Sequence, residues 1–247
     1  MIERYADSEA LALAAAEHFV RAAESAIACR GRFRWAAAGG STPRRCYEIL
    51  AGADFRDRLD WALVESWLGD ERLVPTTHEA SNARMLSETL LDPLGSLAGP
   101  FHAYDTSLEP SQIVAQAEQT VRQRLPSTLA GARRLDFVLL GIGSDCHTAS
   151  WFPGSTFDVA RLVEVTDEER VGYRRITMTP TLINAAREVA FLVSGSGKAE
   201  ALARIVGSKR DPLMWPAQRV KLDSGTLRWC VDQSAAALLP RDAFFNV

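Results

Sequence analysis

Hydrophobic and polar positions along this chain follow two periods. Near the N-terminus Leu11, Ala15, Phe19, Ala22 and Ala26 recur at helical spacing, and Asp7 or Ser8 stands where a cap belongs. After that a different unit repeats: a short apolar run, a polar turn holding glycine, and a helix-like stretch. "FRWAAAGGSTPRRCYEIL" has all three parts, with Pro43 expected at the first helical position. "ALVESWLGDERLV" and "LDFVLLGIGSDCHTAS" supply the run and the turn; "EVAFLVSGSGKAEALARIV" and "LRWCVDQSAAALL" supply all three again. "DTSLEPSQIVAQAEQTVRQRLPS" reads as a loop entering an amphipathic helix with Ile113, Ala117, Val121 and Leu125 on one face. Strands alternating with helices predict an α/β fold: a mostly parallel sheet with helices on both faces. No low-complexity linker interrupts the pattern, so residues 1–247 read as a single domain.

Composition narrows the function classes. The chain has 247 residues, 47% hydrophobic and 24% charged, ample for a buried core. Its 28 basic and 31 acidic residues are well mixed, a net charge of −3, so no nucleic-acid partner is expected. Cys29, Cys46, Cys146 and Cys230 lie far apart, which argues against a disulfide framework or a zinc site and for a reducing compartment. Acids at Glu3, Asp7, Glu9 and Glu17 break up the alanine-rich N-terminal stretch, unlike a signal peptide. No run approaches the roughly 18 apolar residues of a membrane span. The expectation is a cytoplasmic protein with no membrane partner.

The turns then carry the chemistry. In open parallel sheets, ligands sit beyond the carboxyl ends of the strands. The turns "GGSTP", "GDER", "GIGSDCHTAS" and "SGSGK" would pool glycine amides, hydroxyls, arginine, lysine, carboxylates and one histidine there, a set suited to a small anionic ligand. "GGSTP" is either an anion-binding helix start or an ordinary capped turn. "GDERLVP" is either a solvated loop or a place where Arg72 clamps a phosphate. "SGSGKAE" is not a nucleotide-triphosphate loop, because Leu192 and Ala199 stand where that motif needs glycine and a hydroxyl. Lys198 can still meet a phosphate as a point charge. "GIGSDC" lacks the third glycine of a dinucleotide fingerprint. Of the four histidines, His18 falls on the first helix and His78 and His102 in loops, with His78 at the surface. Only His147 follows a buried strand, where an imidazole can serve as general base or acid. Sequence argues against a Cys146–His147 nucleophile pair, because a nucleophile must contact its base and adjacent side chains usually diverge.

In order, these turns resemble the 6-phosphogluconolactonase family, whose pattern includes "GGSTP", "GDER-x-VP" followed by "SN" and a methionine, "G-x-G-x-DGHTASLFPG", an "RIT" strand with "NAAR", and a lysine-led helix. Here they read "GGSTP", "GDERLVP…SNARM", "GIGSDCHTASWFPG" and "RRITMTPTLINAAREVAFLVSGSGKAEAL". The resemblance implies a Rossmann-like domain that hydrolyses 6-phospho-D-glucono-1,5-lactone in the oxidative pentose phosphate pathway, with no metal and no organic cofactor. It makes His147 the catalytic base, with Asp70 or Asp145 orienting the imidazole. It draws the phosphate site from Ser41, Thr42, Arg72, Arg175 and Lys198, with backbone from Gly39 and Gly40. The implied partner is a small phosphosugar lactone, and the implied state a monomer or weak homo-oligomer. One departure stands out: Cys146 replaces the glycine before the histidine, at a cost of about 1–2 kcal/mol if that position needs positive φ. A thiol there would also expose the site to oxidation. The alternatives are a glucosamine-6-phosphate deaminase-like isomerase and a non-catalytic sugar-phosphate-binding regulator.

Overall fold

In the computed structural model, which describes residues 1–128, 131–166, 172–207 and 209–240, the run–turn–helix units build one large sheet and one small one. The strands are β1 (Ile2–Tyr5), β2 (Phe33–Ala37), β3 (Val64–Leu68), β4 (Asp70–Arg72), β5 (Phe101–His102), β6 (Phe137–Leu140), β7 (Val163–Val165), β8 (Arg175–Met178), β9 (Glu188–Val193) and β10 (Thr226–Asp232). The helices are α1 (Ser8–Arg30), α2 (Ser41–Ala51), α3 (Ala53–Arg56), α4 (Asn82–Leu86), α5 (Asp92–Leu94), α6 (Pro110–Arg124), α7 (Pro180–Asn184) and α8 (Ala199–Gly207). Seven strands pair in the order β1-β10-β9-β6-β2-β3-β5, every pair parallel. β4, β8 and β7 form a separate antiparallel sheet.

The alternation of side chains along β2 and β3 explains the two helical layers. Trp35 and Ser66 are register partners on one face, where the Trp35 indole N–H donates to Ser66 Oγ at 2.9 Å. On that face Phe19 of α1 meets Trp35 edge-on at 4.7 Å, and Tyr47 of α2 meets the same indole at 5.6 Å. Such pairs add about 0.5–1.5 kcal/mol beyond the area they bury. The next residue, Trp67, faces the opposite layer with Ile113 and Val121 of α6. α1 is capped as expected: Asp7 accepts from the Ala10 N–H at 2.8 Å, and Gly31 closes the helix at φ 74°. Among the described residues no helix is long and apolar enough to cross a membrane.

Five local expectations are corrected. "GDER" is not a solvated loop. It is β4, paired with the "RIT" strand β8, and Asp70 and Glu71 are buried. Pro43 is the third residue of α2, not the first, because the chain turns helical directly after Gly40. His102 lies in the edge strand β5, not a loop, and His78 is half-buried against Tyr173. "LRWCVDQSAAALL" gives a strand and then turns, with no helix through 233–240. Asp232 is the reason: its carboxylate accepts from Ala235 N–H and Ser234 Oγ, and from Ser194 Oγ and Gly195 N–H across the sheet edge.

Candidate active site

Because β2, β3, β6 and β9 run parallel, the turns that follow them share one sheet edge. A cavity of about 220 Å³ opens there, lined by His147, Asp70, Arg72, Arg175 and Lys198 and by Gly39 and Gly40. The predicted set thus largely converges. Ser41 and Thr42 do not line the cavity; they sit in the first turn of α2 behind Gly40. Asp145 stands behind the histidine, outside the lining.

The loop from Gly141 to Ser150 is folded tightly on itself. Gly143 N–H donates to the His147 carbonyl at 2.8 Å, and Thr148 Oγ donates to the Gly141 carbonyl at 2.8 Å. These contacts bring His147 Nδ1 to 2.6 Å from Asp145 Oδ1, which also accepts the His147 backbone N–H at 3.2 Å. That hydrogen bond to His147 is the main reason the Asp145 carboxyl is held down to about 2, against the opposing effect of burial. An ionised carboxylate only accepts, so Nδ1 carries the proton and a neutral imidazole keeps its lone pair on Nε2. The side chain is 33% exposed, open to a ligand. Of the two carboxylates, Asp145 is the one hydrogen-bonded to His147. Asp70 instead accepts from Ser150 Oγ at 2.6 Å and lies 3.9 Å from Arg175 Nη1.

Cys146 does adopt positive φ, at 69°, and Ala149 follows at 46°. The residue is buried, its Sγ donating to the Ala201 carbonyl of α8 at 3.7 Å, and its carbonyl accepts from Ala217 N–H. Burial pushes the thiol pKa up. The expectation of an oxidation-prone thiol is therefore corrected, since a protonated, enclosed sulfur is a poor nucleophile.

The two arginines are built in differently. Arg72 Nη1 donates to Asn82 Oδ1 at 2.6 Å and to the Ala80 carbonyl at 2.9 Å, while its buried Nε has no acceptor among the described residues. Asn82 is the hinge of this arrangement, because its Nδ2 donates to the Asp70 carbonyl at 2.8 Å. Glu71 anchors the same stretch, accepting from the N–H groups of Arg72, Asn82 and Ala83 and from Ser81 Oγ. Arg175 is buried beside Asp70, with its guanidinium carbon 5.6 Å from the centre of the Phe152 ring. Desolvation lowers its pKa, and Asp70 opposes that. Phe152 also packs 4.9 Å from the His147 ring, so one aromatic side chain borders both the base and a cation.

Sequence reasoning missed Asn82, Ser150 and Gly143. The usable signal for Asn82 was its place in "SN" ahead of a helix. Elsewhere, Glu3, His18 and Cys230 offer ligand atoms within 4.8 Å of one another. Their lone pairs are already engaged, however: Arg228 and Tyr5 bond Glu3, and Arg21 donates to His18 Nδ1. The cluster is an ion-pair knot between β1, α1 and β10.

A Rossmann-like sheet whose carboxyl edge holds a carboxylate-backed imidazole beside three cations defines a class: α/β proteins equipped to act on a small anionic ligand. Residues 6–229 match the family described as "Glucosamine-6-phosphate isomerases/6-phosphogluconolactonase". The chain belongs to that family. It is 35% identical over 239 residues to the 6-phosphogluconolactonase of a Nostoc species, covering 96% of this chain and 98% of that protein. It is 36% identical over 213 residues to that of a Synechocystis species, covering 85% and 86%. The solved 6-phosphogluconolactonase of Trypanosoma brucei superposes with a TM-score of 0.83 at 26% identity, covering 97% of this chain and 98% of that one. A monomeric glucosamine-6-phosphate deaminase has the same fold, with a TM-score of 0.79 at 18% identity over 96% of this chain and 99% of that one.

Proposed function

We propose that the protein hydrolyses 6-phospho-D-glucono-1,5-lactone to 6-phosphogluconate, with His147 as general base. The observation that carries this reading is that His147, hydrogen-bonded to Asp145 behind it, lines the same cavity as Arg72, Arg175 and Lys198. A lactone is an activated ester, so water needs only modest help. His147 Nε2 takes a proton from water as its oxygen bonds to C1. The carbonyl electrons move onto the exocyclic oxygen, and backbone N–H groups of the glycine turns steady that oxyanion. On collapse the C1–O5 bond breaks, and the imidazolium returns its proton to the departing ring oxygen. The product acid then releases one proton to solvent. Asp145 fixes the tautomer and supports the imidazolium, while the three cations hold the phosphate far from the reacting carbon and so position the ring.

The test uses freshly generated lactone, with acid release followed in time. Wild-type protein is expected to turn it over and to release no ammonia from glucosamine 6-phosphate. His147→Ala is expected to lower kcat by about 10²–10⁴-fold with little change in KM, the usual worth of a positioned base. Undiminished turnover in His147→Ala, or ammonia release without lactone hydrolysis, would overturn the reading.

A further inference from the structure

Three arginines gather at the amino end of the large sheet, the edge opposite the cleft. Arg30 ends α1, Arg134 stands just ahead of β6, and Arg187 just ahead of β9. Arg30 Nε donates to Asp136 Oδ1 at 2.8 Å, and Arg187 Nε lies 3.3 Å from the same oxygen. Asp136 Oδ2 accepts the Arg34 backbone N–H at 2.9 Å, so both oxygens of this buried carboxylate are engaged. Arg134 has no ion pair among the described residues. Its Nη2 donates to the Ser224 carbonyl at 2.7 Å and to Ser224 Oγ at 2.9 Å, both bonds open to solvent.

Arg134 and Arg187 line a cavity of about 550 Å³ together with Asp223 and Ser224 from the turn before β10. Pro126, Ala132 and Ala185 give it an apolar wall, and it shares no lining residue with the cleft. The Arg187 side chain is 41% exposed, so a guest can reach it. Arg30, Arg134 and Arg187 stand against Asp136 and Asp223 here, three positive charges to two negative. Of the flanking charges, Glu188 is paired with Arg228, and Arg133 adds to the positive side. Partial burial lowers the Arg187 pKa, and repulsion from Arg30 and Arg134 lowers it further. One added negative charge would balance the set. Guanidinium forks match the geometry of a carboxylate, and the Ser224 hydroxyl, which accepts from Arg134, keeps its own proton to donate. The apolar wall suits an organic body better than a bare ion.

We propose that this cavity binds a small organic monocarboxylate, its charged end between Arg134 and Arg187 and its apolar body against Pro126, Ala132 and Ala185. The proposal concerns binding alone and stands or falls independently of lactone hydrolysis.

Benzoate and benzamide test it, being alike in shape and differing in charge. Binding is followed at neutral pH by the backbone amide NMR signals of Arg187 and Ser224, with chloride holding ionic strength constant. The amides of Gly40 and Lys198 report on the cleft in the same spectra. Benzoate is expected to shift the first pair saturably and to bind about tenfold more tightly than benzamide, because charge-assisted hydrogen bonds replace neutral ones. Arg134→Gln should weaken benzoate by about tenfold. Asp223→Asn should tighten it several-fold by removing the opposing charge. The Asp223 side chain makes no hydrogen bond or ion pair among the described residues, so this variant keeps the test decisive should Arg134→Gln fail to fold. The proposal is overturned if benzoate shifts only the cleft signals, if benzamide binds equally well, if Arg134→Gln leaves binding intact, or if Asp223→Asn fails to tighten it.

Discussion

At Gly143 a single methyl group decides whether the His147–Asp145 pair can form. A Cβ there would overlap His147 Nδ1 and Asp145 Oδ1. Gly143→Ala is therefore expected to lower kcat by about 10²-fold, approaching loss of the base, while circular dichroism still shows a folded protein. At Asp145 the sign of the pH effect follows from its lowered pKa. Folding of the chain favours the ionised carboxylate, so the pair's contribution is complete above the ordinary carboxylate value of 3.8 and fades as pH falls toward about 2. Urea unfolding of wild type and Asp145→Asn should differ near neutral pH and converge below that window. At Cys146, two effects oppose. Replacement by glycine relieves about 1–2 kcal/mol of left-handed strain, but loses about 1 kcal/mol of buried thiol and adds about 0.5–1 kcal/mol of backbone entropy cost. Cys146→Gly should therefore change stability by less than about 1 kcal/mol, as read by the urea midpoint, and keep the histidine pair and its turnover.

At the level of elements, β4 shows what a strand pattern hides. Three consecutive charged residues read as a surface loop, yet Asp70 and Glu71 are buried because their partners come from far along the chain. Glu71 is met by a hydroxyl and two amides ten to twelve residues later, and Asp70 by Ser150, eighty residues away. No local period carries that information. The parallel strands, α1 and α6 were legible because their burial patterns are local, and the cleft was legible because parallel strands end at one edge. Which carboxylate serves His147 was not legible, since both candidates lie near it in the motif set and only the loop's folding chooses. The same long-range wiring makes Asn82 a positioning residue for Arg72. Asn82→Ala is expected to raise KM for the lactone about tenfold or more, while the pH dependence of kcat, which reports on His147, stays in place. A drop in kcat with an altered pH profile would place Asn82 in the chemistry instead.

For the molecule as a whole, charge is distributed unevenly: the chain carries a net −3, while its cleft gathers Arg72, Arg175 and Lys198 around Asp70 and His147. Lys198 and Arg72 are only half-buried, so salt should screen their pull on a phosphate. Raising ionic strength is expected to increase KM several-fold with kcat nearly constant, as steady-state kinetics across a salt series would show. Each of these effects presumes that base and cations serve one ligand at one time. A crystal structure with 6-phosphogluconate bound examines that most directly. The phosphate is expected among Arg72, Arg175 and Lys198, with C1 of the ligand turned toward His147 Nε2. A phosphate seated elsewhere, or a C1 carboxylate turned away from the imidazole, would contradict it.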